Sequence, residues 1–134
     1  MRDWKSVMQT MLTCVGGWLG WFLGGFDGLM MTLIIFMLLD YVTGVMCAFA
    51  EKKLSSAVGF RGIFRKALIL LLVGAAQLID ANITGTAILR SAVIFFYLAN
   101  EGVSVTENAS RLGLPIPDKL KQALIQLNEN KEDK

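Results

Sequence analysis

Apolar residues fall in four long runs separated by short polar breaks. The first, Ser6 to Phe26, has 21 residues, and the second, Gly28 to Ala50, has 23. At ~1.5 Å per residue either crosses a hydrocarbon core of ~30 Å as a helix. A third run, about 62–80, has "ALILLLVGAAQLI" at its centre, and a fourth, about 84–103, carries "AILRSAVIFFYLA". The pattern predicts an all-α polytopic membrane protein with four transmembrane helices. The alternative is three, with the first segment lying on the membrane surface or spanning only conditionally. The first run opens on "MRDWK", like the start of a signal peptide. Its end, "WFLGGFD", lacks a small-x-small cleavage site, so the segment is expected to be retained.

Beyond the runs the pattern changes. Gly113, Pro115 and Pro117 predict a stiff, non-helical connector. Asp118 is placed to cap a helix over about 118–128, in which Leu120, Ala123, Leu124 and Leu127 recur at helical spacing. The chain divides into a transmembrane domain, 1–105, and a tail, 106–134, with a frayed charged end. The tail helix is amphipathic, and either meets a partner, lies on the membrane or is simply solvated.

Composition narrows the class. Hydrophobic residues make up 54% of the 134 and charged residues 18%, against about 45–50% and about 25% in soluble domains; mean hydropathy is +0.55. Histidine is absent, and Cys14 and Cys47 sit singly in apolar runs, consistent with small packing residues. The connection Glu51–Lys66 carries Lys52, Lys53, Arg61, Arg65 and Lys66 against Glu51 alone. By the positive-inside rule this loop and the N-terminus face the cytoplasm, and four spans return the C-terminus there. Arg65 and Lys66 are expected to snorkel to the surface from the start of the third span.

Three helices carry faces of their own. Gly16, Gly20 and Gly24, extended by Gln9 and Thr13, fall on one stripe at ~100° per residue, opposite Trp18, Trp21 and Phe22. Small-xxx-small spacing lets helices approach closely in lipid, so the stripe predicts packing, within the chain or between copies. In the second run, Asp40, Thr43, Gly44, Cys47 and Glu51 share a face at i, i+3, i+4, i+7 and i+11. A carboxylate at a helix centre costs ~2.5–3.5 kcal/mol on insertion scales. Asp40 is therefore expected to meet a partner helix or line an aqueous path. Arg90 is the candidate cation; Asp80, nearer the outer surface, is its favoured partner and Asp40 the alternative. Arg90, Tyr97, Glu101 and Ser104 form a further polar stripe on the fourth run.

No catalytic constellation is present: there is no histidine base, no phosphate-cradling glycine loop with its lysine, and no paired acids at a plausible site. The reading is a non-enzyme without cofactor or metal. The basic loop between two spans points to anionic lipid head groups or topology control, not to nucleic acid.

The order "LLDYVTG", "KKLSSAVGFRGIFRK", "NEGVSVTEN", "GLPIP" resembles the phage-lysis and toxin-secretion holin family, found in phages of Gram-positive bacteria and beside clostridial toxin genes. The matching positions include Asp40, Thr43 and Gly44; Lys53, Leu54, Ser55 and Ser56; Gly59, Gly62, Ile63, Arg65 and Lys66; Glu101, Ser104, Glu107 and Asn108; and Gly113, Pro115 and Pro117. The resemblance spans roughly Leu38 to Leu120. It implies a protein of the bacterial cytoplasmic membrane that oligomerises with itself and forms lesions releasing a muralytic endolysin or a large toxin. Asp40→Asn and Gly20→Leu are each expected to change lysis timing. A small four-span cation/proton antiporter using Asp40 is the alternative, and a structural anchor docking partners through its tail helix is a third.

Overall fold

Asp27 decides where the longest apolar run becomes a helix. Its carboxylate accepts the Met30 N–H at 2.9 Å, satisfying a donor that the first turn leaves free. In the computed structural model, which describes residues 3–129, the helix so capped is α2, Gly28–Ala50. It follows α1, Trp4–Leu23, and precedes α3, Ser56–Ile79. A π-helical turn, Asp80–Thr84, continues α3; then come α4, Ile88–Arg111, and α5, Asp118–Glu129. The described residues are helical with no strand. Arg2 and the charged end 130–134 lie outside the described residues.

Among the described residues three helices, not four, are long and apolar enough to cross a membrane: Gly28–Ala50, Ser56–Thr84 and Ile88–Arg111. The expected first span fails on composition, because Lys5, Ser6, Gln9, Thr10, Thr13 and three glycines dilute the apolar residues of α1. α1 also stands apart from the bundle. Most of it is exposed, and only its last turn, with Phe22 and Leu23, packs inward.

The basic connection is also shorter than expected. Lys52 takes a left-handed conformation (φ 58°) at the end of α2, and the Ser55 hydroxyl accepts the Val58 N–H at 3.2 Å, starting α3. Arg61, Arg65 and Lys66 therefore lie on a helix. α4 likewise continues past Asn100 and Glu101 to Arg111, because Glu101 points into the bundle and is buried. Asp118 sits within the first turn of α5 and not at its cap; the Pro117 carbonyl accepts from Leu120 and Lys121 there.

Arg90 meets Asp27 where α4 and α2 begin, and Arg111 meets Glu51 where they end, so these two helices run parallel. α3 returns antiparallel to both, packed more on α4 than on α2, and α5 folds back along α4 to place Leu124 over Gly102. The core is small: Leu23, Met30, Leu33, Met37, Ile69, Val73 and Ile94. Most other large apolar side chains face outward, as lipid requires.

Gly74 is where α1 meets α3. A Cβ there would fall inside the Phe22 ring. Gly74→Leu is expected to cost about 1–3 kcal/mol as an overpacking change and to unseat the end of α1. Adding Phe22→Ala should recover most of the loss in the thermal midpoint measured in detergent.

Candidate functional site: a charged layer between three helices

The register of the spans brings acids and a base to one depth. Asp40 lies 13 residues after Asp27, and Lys66 lies 14 before Asp80; at ~1.5 Å per residue these are ~20 and ~21 Å from the same end of the bundle. Lys66 Nζ is 2.7 Å from Asp40 Oδ2 and 2.7 Å from Glu101 Oε2. The three side chains are only 9–17% exposed. One ammonium thus bridges two carboxylates from different helices, leaving one acid in excess by count.

Asn108 completes the layer. Its side-chain amide donates to Asp40 Oδ1 at 3.2 Å and to Thr43 Oγ1 at 3.0 Å, and its backbone carbonyl accepts the Cys47 S–H at 3.2 Å. Gly44 lies beside it, with a Cβ there 3.7 Å from the Asn108 amide nitrogen. Glu51 ends the row: it pairs with Arg111 at 2.6 Å, whose hydrogen bond holds its carboxyl below the usual glutamate value. The polar face on α2 therefore meets α4 along its length.

Two expected partners are corrected. Lys66 does not snorkel; its stem carries the ammonium inward, where two acids hold it. Arg90 pairs with neither Asp80 nor Asp40 through its side chain. Its guanidinium donates to the carbonyls of Leu23 (2.7 Å) and Gly25 (3.0 Å) and to both oxygens of Asp27 (2.8 and 3.2 Å). Asp80, 1% exposed, accepts the backbone N–H groups of Arg90 (2.8 Å) and Leu89 (3.3 Å) and the Thr84 hydroxyl (2.8 Å). It serves as a cap of α4, since Ala87, the residue at the N-cap position, has no side-chain acceptor to do so.

The other singled-out residues are dispersed. Gly16 has nothing within 4 Å of an added Cβ, and one at Gly20 would meet the Phe26 ring at 3.3 Å. Gly24 lies past the end of α1 (φ 83°), so it leaves the helical stripe. Thr13 turns its hydroxyl back to the Gln9 carbonyl at 2.8 Å. Gly59 and Gly62 admit Tyr41; Ser55, Ser56, Glu107, Pro115 and Pro117 are exposed, as are Lys52, Lys53, Arg61 and Arg65.

A cleft of about 540 Å³ opens against the layer, walled by all three spanning helices. No group of three or more histidine, cysteine or acidic residues among the described residues is disposed to hold a metal.

A sequence profile of the bacteriophage holin family matches residues 17–129. The chain belongs to that family. This holin is 46% identical over 112 residues to an uncharacterized 14.9 kDa protein of Clostridium perfringens, covering 83% of this chain and 85% of that one. It is 40% identical over 110 residues to an uncharacterized protein of Listeria monocytogenes (82% and 79% covered). A probable holin of Bacillus phage phi105 is 33% identical over 102 residues, with 76% of each chain covered. No solved structure matches. The family is one of non-enzymatic membrane proteins, and the matched region takes in the whole charged layer and the Arg90 contacts.

Proposed function

We propose that this holin gathers in the bacterial cytoplasmic membrane as a closed three-span unit and assembles with copies of itself into lesions that pass an endolysin or a large toxin. The observation that carries this reading is the Lys66 bridge to Asp40 and Glu101. Partnered within one chain, these groups leave an outer surface apolar enough for lipid. Partnered between copies, the same polar faces of α2, α3 and α4 line a wet opening. Gly16 and Gly17, where an added Cβ would meet nothing within 4 Å among the described residues, give α1 a surface for a second copy.

With the α2–α3 turn inside, three crossings place the start of α2 outside and the C-terminal tail in the cytoplasm. The N-terminus is cytoplasmic, as its charges favour, when α1 crosses as well. An antiporter built on Asp40 is less well supported, because Lys66 already occupies the place between the acids where a transported cation would sit.

The test is induction in a bacterium that also expresses a cytoplasmic muralytic enzyme. An abrupt fall in turbidity is expected, with Asp40→Asn shifting its onset. Membranes that stay sealed to the enzyme at full expression would sink the reading. Gly16→Leu is a cleaner probe of assembly than Gly20→Leu, which would first displace Phe26.

A further inference from the structure

The cleft has a direction. Along α3 its wall runs from Val58 through Gly62 and Arg65 to Leu68 and Leu72, about 21 Å at ~1.5 Å per residue. Its polar end lies beside the α2–α3 turn, and its apolar end points toward the middle of the span. A phospholipid has the same order of polarity, head group at the interface and chains inward.

Charge at the open end fits an anion. Arg65 lines the cleft yet is exposed, and Arg61 sits one turn before it on the same side of α3. Among the described residues neither arginine has an ion-pair partner. Lys66, by contrast, is held by two acids deeper in. Those acids keep a phosphate from moving past the arginines, so the head group stays at the mouth. The cleft exists because α2 packs mainly on α4 and only lightly on α3, and Leu68 and Leu72 remain half-exposed along its lip. Its volume of about 540 Å³ is within the ~300–1,000 Å³ of small-ligand sites, and basic pockets between spans on the cytoplasmic side are where anionic head groups bind.

We propose that this cleft is a site for an anionic phospholipid, its phosphate held by Arg61 and Arg65 and one acyl chain laid along Leu68 and Leu72. The polarity order alone requires the basic end to lie at a membrane face, so the assignment stands apart from lesion formation. It makes lipid charge a condition of the closed unit's stability.

The experiment follows thermal unfolding of the full chain in mild detergent while phosphatidylglycerol, phosphatidylcholine or glycerol phosphate is added. Phosphatidylglycerol is expected to raise the midpoint saturably and the other two to leave it unchanged. Arg61→Gln with Arg65→Gln should weaken the apparent affinity at least tenfold. Leu68→Trp should weaken it by blocking the groove, and Lys121→Gln on α5 should not change it. An equal response to phosphatidylcholine means general solvation and overturns the proposal. An equal response to glycerol phosphate means a bare anion site, and a midpoint that follows protein concentration instead of lipid means a second copy in the cleft; both overturn it.

Discussion

Lys66→Met is expected to lower stability by about 3–5 kcal/mol, the usual consequence of leaving buried charge without its partner. Two carboxylates, Asp40 and Glu101, both converge on Nζ at 2.7 Å, so the lysine's loss orphans both at once. Methionine fills the stem's volume, which assigns the effect to charge. The thermal midpoint in detergent should fall by on the order of 10 °C. Repair identifies the cause: Lys66→Met combined with Asp40→Asn and Glu101→Gln has no unpaired charge and should regain most of the loss, since buried ionic groups replaced together are often neutral in effect. Glu101→Gln alone keeps the Asp40 pair and should cost about 1 kcal/mol. If the triple variant is no better than Lys66→Met, the bridge is not what closes the bundle. In the lysis assay, Lys66→Met should move the onset further than Asp40→Asn, which leaves Glu101 on the lysine.

Much of this arrangement was legible in the chain, but unevenly. The apolar runs identified the membrane helices because lipid leaves the backbone little choice but to bond within itself. The face Asp40, Thr43, Gly44, Cys47 and Glu51 was legible because helical spacing is rigid, and α4 now covers it. Partner choice was less so. Lys66 follows a basic loop, and hydropathy counts a lysine alike whether it snorkels or turns inward. Its equal depth with Asp40, counted from Asp80 and Asp27, was present in the sequence and would have paired them. Arg90 and Asp80 lie near the same end of the bundle, but α1's terminal carbonyls compete for the same guanidinium, and no side-chain pattern marks a carbonyl. The first run has the length of a span, but the polar residues and glycines within α1 leave it less apolar than the other three.

Arg90→Lys is expected to cost about 3 kcal/mol, most of it through two carbonyls that lose their donor. The last carbonyls of a helix need partners from outside it. Leu23, at the end of α1, and Gly25, in the left-handed turn beyond it (φ 99°), both receive theirs from Arg90. A guanidinium reaches both carbonyls and both Asp27 oxygens because its donors are spread in a rigid fork; a single ammonium cannot span them. The Asp27 contact is the lesser part, since its carboxylate is 52% exposed and exposed pairs contribute about 0–1 kcal/mol. Asp27→Asn should therefore cost under about 1 kcal/mol, asparagine being an equal cap for α2. The Arg90 hydrogen bond holds the Asp27 carboxyl below its ordinary value of 3.8. Its contribution is complete above that pH and is lost as the pH falls through the lowered value, so stability should not change on this account between about pH 5 and 8. The readout specific to the contact is cleavage before Asp27 by an aspartate-specific protease. The native turn should resist it and Arg90→Lys should admit it, because α1 is then held only by Phe22 against Gly74 and by Leu23. Resistance unchanged in Arg90→Lys would show that those apolar contacts seat α1 without the arginine.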